Sequence, residues 1–207
     1  MLTYTDPEGK ELPSRLWGMR CYLIGAMDQA SDGGVQWREI MAEFLSNLGV
    51  VPLNPCDKPI QLGFEDIESR KLRQSMKDRG DYDLICQRVR ELRTVDLRMV
   101  DMSDFIIFNL DIDIPTCGSW EEMGWANRLK KPVLIRCKQG KNQIPDWTFG
   151  MIPHQHIFGN WEALKSYLVD IHSAPEVDTM KRWMFFEYHK MLPTVTREQS
   201  IEFAMHE

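Results

Sequence analysis

No stretch of this 207-residue chain is apolar for long enough to cross a bilayer as a helix. The first 17 residues are polar and contain no apolar segment of the kind a secretory signal needs, so a cytoplasmic protein that contacts no membrane is expected. Lys and Arg form no run, and the formal net charge is −6. That balance disfavours a nucleic-acid polymer as partner, because such affinity rests on neutralising phosphates. A small anionic ligand stays admissible, since a helix N-terminus or one or two local cations can hold it. The five cysteines, Cys21, Cys56, Cys86, Cys117 and Cys137, are scattered and show no C-x-x-C spacing. Reduced thiols in the core are expected, not a disulfide frame or a zinc site. The histidines lie late in the chain and form no H-x-x-x-H pair, so no metal and no cofactor is expected. Neither G-x-G-x-x-G nor G-K-[ST] occurs, which removes the dinucleotide fingerprint and the P-loop.

What is present reads as strands alternating with helices. "MRCYLIGAM" (19–27) is a short apolar run and predicts a buried strand. Residues 35–49 place Val35, Ile40, Met41, Phe44, Leu45 and Leu48 at helical spacing before the stop signal Gly49. Strands are expected at 50–55, 104–111, 132–137 and 154–159, and helices at 65–77, 81–104, 119–131 and 160–172, the last capped by Asn160. Lys130 and Lys131 sit favourably at the C-terminal end of the 119–131 helix. This order predicts an α/β protein: a doubly wound parallel sheet of about five strands, sandwiched by helices. The expected organisation is a lead-in at 1–17, a domain at 18–174 with a charged insertion at 56–80, and a C-terminal helical tail at 175–207. The tail's segment 176–192 carries Trp183, Met184, Phe185, Phe186 and Tyr188, an apolar load that suits a subunit contact and hence a homo-oligomer.

In open α/β sheets, ligands sit at the carboxyl ends of the strands. Three loops follow strands there: 25–34, 54–56 and 111–122. Gly33 and Gly34 in the first serve a plain turn or a binding loop equally well. In the third, Ser119 and Glu122 form the S-x-x-E pattern of a capping box, and Glu121 has the plain role of an acid in a first helical turn. Asp28, Asp32, Asp111 and Asp113 suit a solvated loop better than a cation cage.

Five segments in one order carry a resemblance. "YLIGAMD" (22–28), "NP" (54–55), "DL" (96–97), "SDFIIFNLD" (103–111) and "CGSWEEMGWANRLKKPVLI" (117–135) resemble the nucleoside 2-deoxyribosyltransferase superfamily, which includes the 2'-deoxynucleoside 5'-monophosphate N-glycosidases. The match covers residues 19 to about 137. It implies Glu122 as nucleophile, Tyr22 as the hydroxyl that holds its carboxylate, and Asp96 as an active-site acid that contacts the sugar or supports catalysis. Gly25 and Gly118 match glycines where backbone approaches ligand. Thr116 stands where the transferases often have Asp, which resembles the monophosphate glycosidases, where a hydroxyl residue helps hold phosphate. From the residues themselves, Thr116, Gly118 and Ser119 at a helix start suit an anion site for substrate phosphate, and Asp96, Asp28 or Asp111 suit the relay of a proton to the leaving base. The implied activity is cleavage of the N-glycosidic bond of a (deoxy)nucleoside or its 5'-monophosphate, with the sugar passed to another base or to water. The alternative is a nucleotide-binding sensor or adaptor of the same fold without turnover.

Overall fold

The computed structural model describes residues 3–5, 9–27, 30–58, 67–174 and 176–187. Met1–Val177 forms one compact unit and Asp178–Glu207 a second. The first unit opens with an antiparallel pair, β1 (Thr3–Thr5) and β2 (Glu11–Pro13). The main sheet follows: β3 (Arg20–Gly25), β4 (Val51–Leu53), β5 (Phe105–Leu110), β6 (Val133–Cys137) and β7 (Ile157–Phe158). Its spatial order is β4-β3-β5-β6-β7 and every pairing is parallel. The chain steps outward from β3 to β4, then returns to the other side of β3 for β5. This reversal puts a switch point between β3 and β5, where doubly wound sheets open a crevice at their carboxyl ends.

The connecting helices are α1 (Val35–Asn47), α2 (Ile67–Arg79), α3 (Tyr82–Met102), α4 (Cys117–Arg128), α5 (Asp146–Met151) and α6 (Trp161–Ser173). Two faces of the sheet are covered, so β3 and β5 are buried without alternation, as expected of a parallel sheet. One face sets Tyr22, Ile24, Ile106, Phe108 and Ile135 against Val100 of α3 and Met123 and Ala126 of α4. On the other, α1 packs beside β4 and α6 beside β6 and β7, and Trp37 of α1 stacks on Trp161 of α6 at 5.6 Å.

Several expected elements shift. The helix expected at 119–131 runs two residues earlier and stops at Arg128. Lys131 therefore does not complement its own helix. Its ammonium donates to the carbonyls of Val100 and Asp101 at 2.7 Å, and to Ser103, closing the end of α3 instead. Residues 154–156 form a 3-10 turn before the two-residue β7, and the six-residue α5 was not anticipated. The cysteine expectation holds for Cys21 and Cys137, which are buried; Cys86 and Cys117 are exposed, on α3 and at the first position of α4. In the tail, the expected helix over 176–192 is absent from the described residues: 176–187 carries only a 3-10 turn at Met184–Glu187, and Trp183 clusters with Phe185 and Phe186 at 5.7 and 5.4 Å. Tyr188 lies outside the described residues.

His172 sits buried near the end of α6, and burial lowers its pKa below the ordinary histidine value. The unfolded chain thus binds the proton more readily, so this contribution to stability is present above the unfolded pKa of about 6.5. It is lost as pH falls through the lowered folded value. The urea midpoint should stay level above neutrality and decline as pH drops below about 6.5, and His172→Gln should flatten that decline. A wild-type midpoint constant down to the carboxylate range would contradict it.

Candidate functional site

At the carboxyl ends of β3 and β5 lies a cleft of about 270 Å³. Tyr22, the third residue of β3, is paired to Leu53 on one side and Ile106 on the other, and its ring is buried. That pairing aims the ring toward α4. The Tyr22 hydroxyl donates to Glu122 Oε1 at 2.8 Å, 100 positions later in sequence. Burial, and then the charges of Glu122 and Asp96, push the Tyr22 phenol well above its ordinary pKa, so at neutral pH it stays protonated and acts as a donor.

Glu121 and Glu122 diverge because neighbouring helical positions are about 100° apart. Glu121 points outward, where Arg93 Nε of α3 donates to both its oxygens at 3.0 and 2.8 Å. Those bonds lower its pKa against a smaller opposing effect of burial. Glu122 lines the cleft. The capping box expected at Ser119 and Glu122 does not form. Thr116 is the N-cap, which moves Ser119 into the first turn and Glu122 into the second, out of reach of the orphan N–H groups. Thr116 Oγ1 instead donates to Ser119 Oγ at 2.5 Å.

Thr116, Gly118 and Ser119 line the same cleft, as do Gly25 and Asp96. Gly25 is required by space: a Cβ there would stand 2.8 Å from the Trp37 ring and 3.2 Å from the Asn109 carbonyl. At Gly118 a Cβ would meet nothing within 4 Å. Asp96 reaches the cleft from α3 and forms an ion pair with Lys58 at 2.6 Å.

Among solved structures, the chain is similar to a 2-deoxyribosyltransferase from Bacillus psychrosaccharolyticus, with 16% identity over 76% of this chain and 99% of that one, and a TM-score of 0.51. It is also similar to a 2-desoxiribosyltransferase from Leishmania mexicana (19% identity, 74% and 99% covered, TM-score 0.46) and to the CMP N-glycosidase BcmB of Clostridium botulinum (15%, 72% and 98%, 0.42). The chain has the nucleoside 2-deoxyribosyltransferase-like fold. No family model and no curated protein sequence matches it.

Within this deoxyribosyltransferase-like fold, one expected site residue, Asp111, stands apart from the cleft. Asp111 lines a neighbouring pocket, where Lys138 Nζ and Gln139 Nε2 each donate to it at 2.6 Å. Burial opposes its ionisation, but these bonds outweigh burial and its pKa lies below the usual value. Asp28 lies outside the described residues.

Two buried cations, one lining the cleft and one paired with its Asp96, were not anticipated. Arg38 is fully buried and donates to the carbonyls of Leu23 at 3.1 Å, Gly25 at 2.8 Å and Gly34 at 2.7 Å. Gly34 has φ +72°, and a Cβ there would collide with the Ala26 carbonyl and Arg38 Nη1, so glycine is required at this turn. Arg38 shares the helical face of Met41 and Leu45, three and seven residues on; an arginine on an apolar face was the available signal. Lys58 had none, since it follows the 3-10 turn Pro55–Asp57 within the charged 56–80 stretch. The Lys58 and Asp96 side chains are 2% and 14% exposed, so removing one leaves the other's charge without its ion-pair partner in a poorly solvated place. Lys58→Met should cost about 3 kcal/mol of stability, read as a lowered urea midpoint. The double variant Lys58→Met/Asp96→Leu should recover much of that loss; no recovery would place the cost elsewhere.

Proposed function

We propose that this chain breaks the N-glycosidic bond of a (deoxy)nucleoside or its 5'-monophosphate and passes the sugar to water or to a second base. One observation carries this reading: a carboxylate held by a buried phenol at 2.8 Å, in a cleft that a second carboxylate, Asp96, also faces. The fold shared with a protein named as a 2-deoxyribosyltransferase supports it.

The chemistry follows from the groups present. Glu122 attacks the anomeric carbon from below as the C–N bond breaks, and the bonding pair leaves on the base nitrogen, which takes a proton. Positive charge builds on the sugar in this step, and an oriented carboxylate stabilises it. Tyr22 holds the carboxylate in place for this attack. In the second step, water or the nitrogen of another base attacks the same carbon, the ester bond to Glu122 breaks, and the attacking group loses its proton. Asp96 accepts a hydrogen bond from a sugar hydroxyl or relays one of these protons.

Deoxynucleosides and their monophosphates, incubated with and without an acceptor base and analysed for free base, test the activity. Glu122→Gln should fold normally and lose about 10³-fold or more in turnover, because an amide neither attacks nor balances the cationic sugar. Glu121→Gln, altering a surface pair, should retain most activity. Near-wild-type turnover in Glu122→Gln would end the glycosidic mechanism. Binding of nucleotides without any base release would favour a sensor instead.

Substrate phosphate is proposed to lie at the start of α4, where the first N–H groups have no intrahelical acceptor and Thr116 and Ser119 supply hydroxyls. Thr116→Asp should then raise KM for a monophosphate more than for the matching nucleoside. Equal effects on both would remove phosphate from this place.

A further inference from the structure

A second pocket, of about 200 Å³, opens over the carboxyl ends of β5 and β6, and Ala26 lines both it and the cleft. Four charged side chains surround it: Asp32, Asp111, Arg136 and Lys138. Three are held by an ion pair or by capping bonds within the chain. Asp32 accepts from the Gly34 and Gln36 amides at 2.9 and 3.2 Å, closing the start of α1. Asp111 and Lys138 pair with each other at 2.6 Å.

Arg136 differs. Its Nη1 donates to Asn109 Oδ1 at 3.1 Å, and its guanidinium lies 5.1 Å over the Trp161 ring. Its buried Nε makes no hydrogen bond, and among the described residues no carboxylate lies within ion-pairing distance of it. Burial lowers its pKa, the charges of Asp111 and Glu162 beyond ion-pairing distance oppose that only in part, and a guanidinium remains charged at any pH the fold survives. The sheet thus holds a half-buried cation with a neutral amide on one side, an indole on another and open space in front. Buried charges are normally paired. A planar donor fork already oriented by its neighbours matches the two oxygens of a carboxylate or phosphate.

We propose that this pocket is an oxyanion site in which Arg136 binds a phosphate or carboxylate group, with Lys138 at its rim. The site is separate from the start of α4 and does not depend on the reaction proposed for the cleft. Its anion is either free in solution or carried by a molecule that also reaches past Ala26 into the cleft.

Titration of isotope-labelled full-length protein with inorganic phosphate, followed by NMR, tests this residue by residue. The expected result is saturable shifts of the Arg136 Nε–Hε signal and of amides at 136–138 and 31–34. Arg136→Gln should weaken phosphate binding about tenfold or more, and Arg136→Lys by less. Shifts confined to 116–119, or no saturable change at millimolar phosphate, would overturn the proposal in the wild-type protein alone, whatever the variants do. Acetate in place of phosphate shows which oxyanion is preferred. A nucleoside compared with its 5'-monophosphate separates the sources: a monophosphate advantage lost in Arg136→Gln means that the anion rides on the nucleotide. An advantage that survives means the pocket takes a free anion.

Discussion

A buried guanidinium organises the mouth of the sheet. Arg38 reaches from α1 back beneath the strand ends and gathers carbonyls from β3, from the residue that ends it and from the turn before α1. A charge out of water is costly, and only well-placed acceptors offset it. Three backbone oxygens meet that need, and in return Gly25 and Gly34 are tied to one side chain. The left-handed Gly34 exists to permit it. Tyr22 and Gly25, the wall of the cleft and the rim that separates it from the Arg136 pocket all lie on or beside the backbone that Arg38 ties down.

Helices α3 and α4 supply the opposing acids, and their relative register is pinned by contacts outside the cleft. Arg93 grips Glu121 on the surface, Trp125 Nε1 donates to Asp101 at 2.8 Å, and Lys131 seals the end of α3. Individually, exposed pairs contribute little. Their joint effect is geometric: α4 has little freedom to slide or rotate along α3, so the separation of Asp96 from Glu122 is set by the scaffold. The two adjacent glutamates thus divide the work, one fixing the helix from outside and the other facing the cavity that this fixing keeps in shape.

The sheet was legible in sequence because burial on both faces writes strands as unbroken apolar runs, as in "FIIFNL", and α1 because its apolar residues recur at helical spacing. The start of α4 was misread because Ser119–Glu122 fits a capping pattern locally, while the backbone begins the helix at Cys117, with Thr116 as the N-cap. Helix α5 is too short to show a period. The convergence of Tyr22 on Glu122 was available only through resemblance to a family, since no local pattern joins residues in different βα units. Arg38 was visible as a charge on an apolar face. Lys58 and Lys131 were not, because their partners are set by tertiary packing alone.

The ends of the five-stranded sheet carry a different consequence. Its edge strands, β4 and β7, are three and two residues long. The amide of Val51 is already given inward to Met19, so by alternation the next position faces outward, and that position is Pro52, which has no N–H to offer. A foreign strand arriving at this border finds a ladder one rung long with a donor missing. Sheet proteins tend to polymerise through such borders. Here the same brevity that leaves β4 and β7 weakly held in the fold makes the molecule a poor template for fibril growth along this sheet.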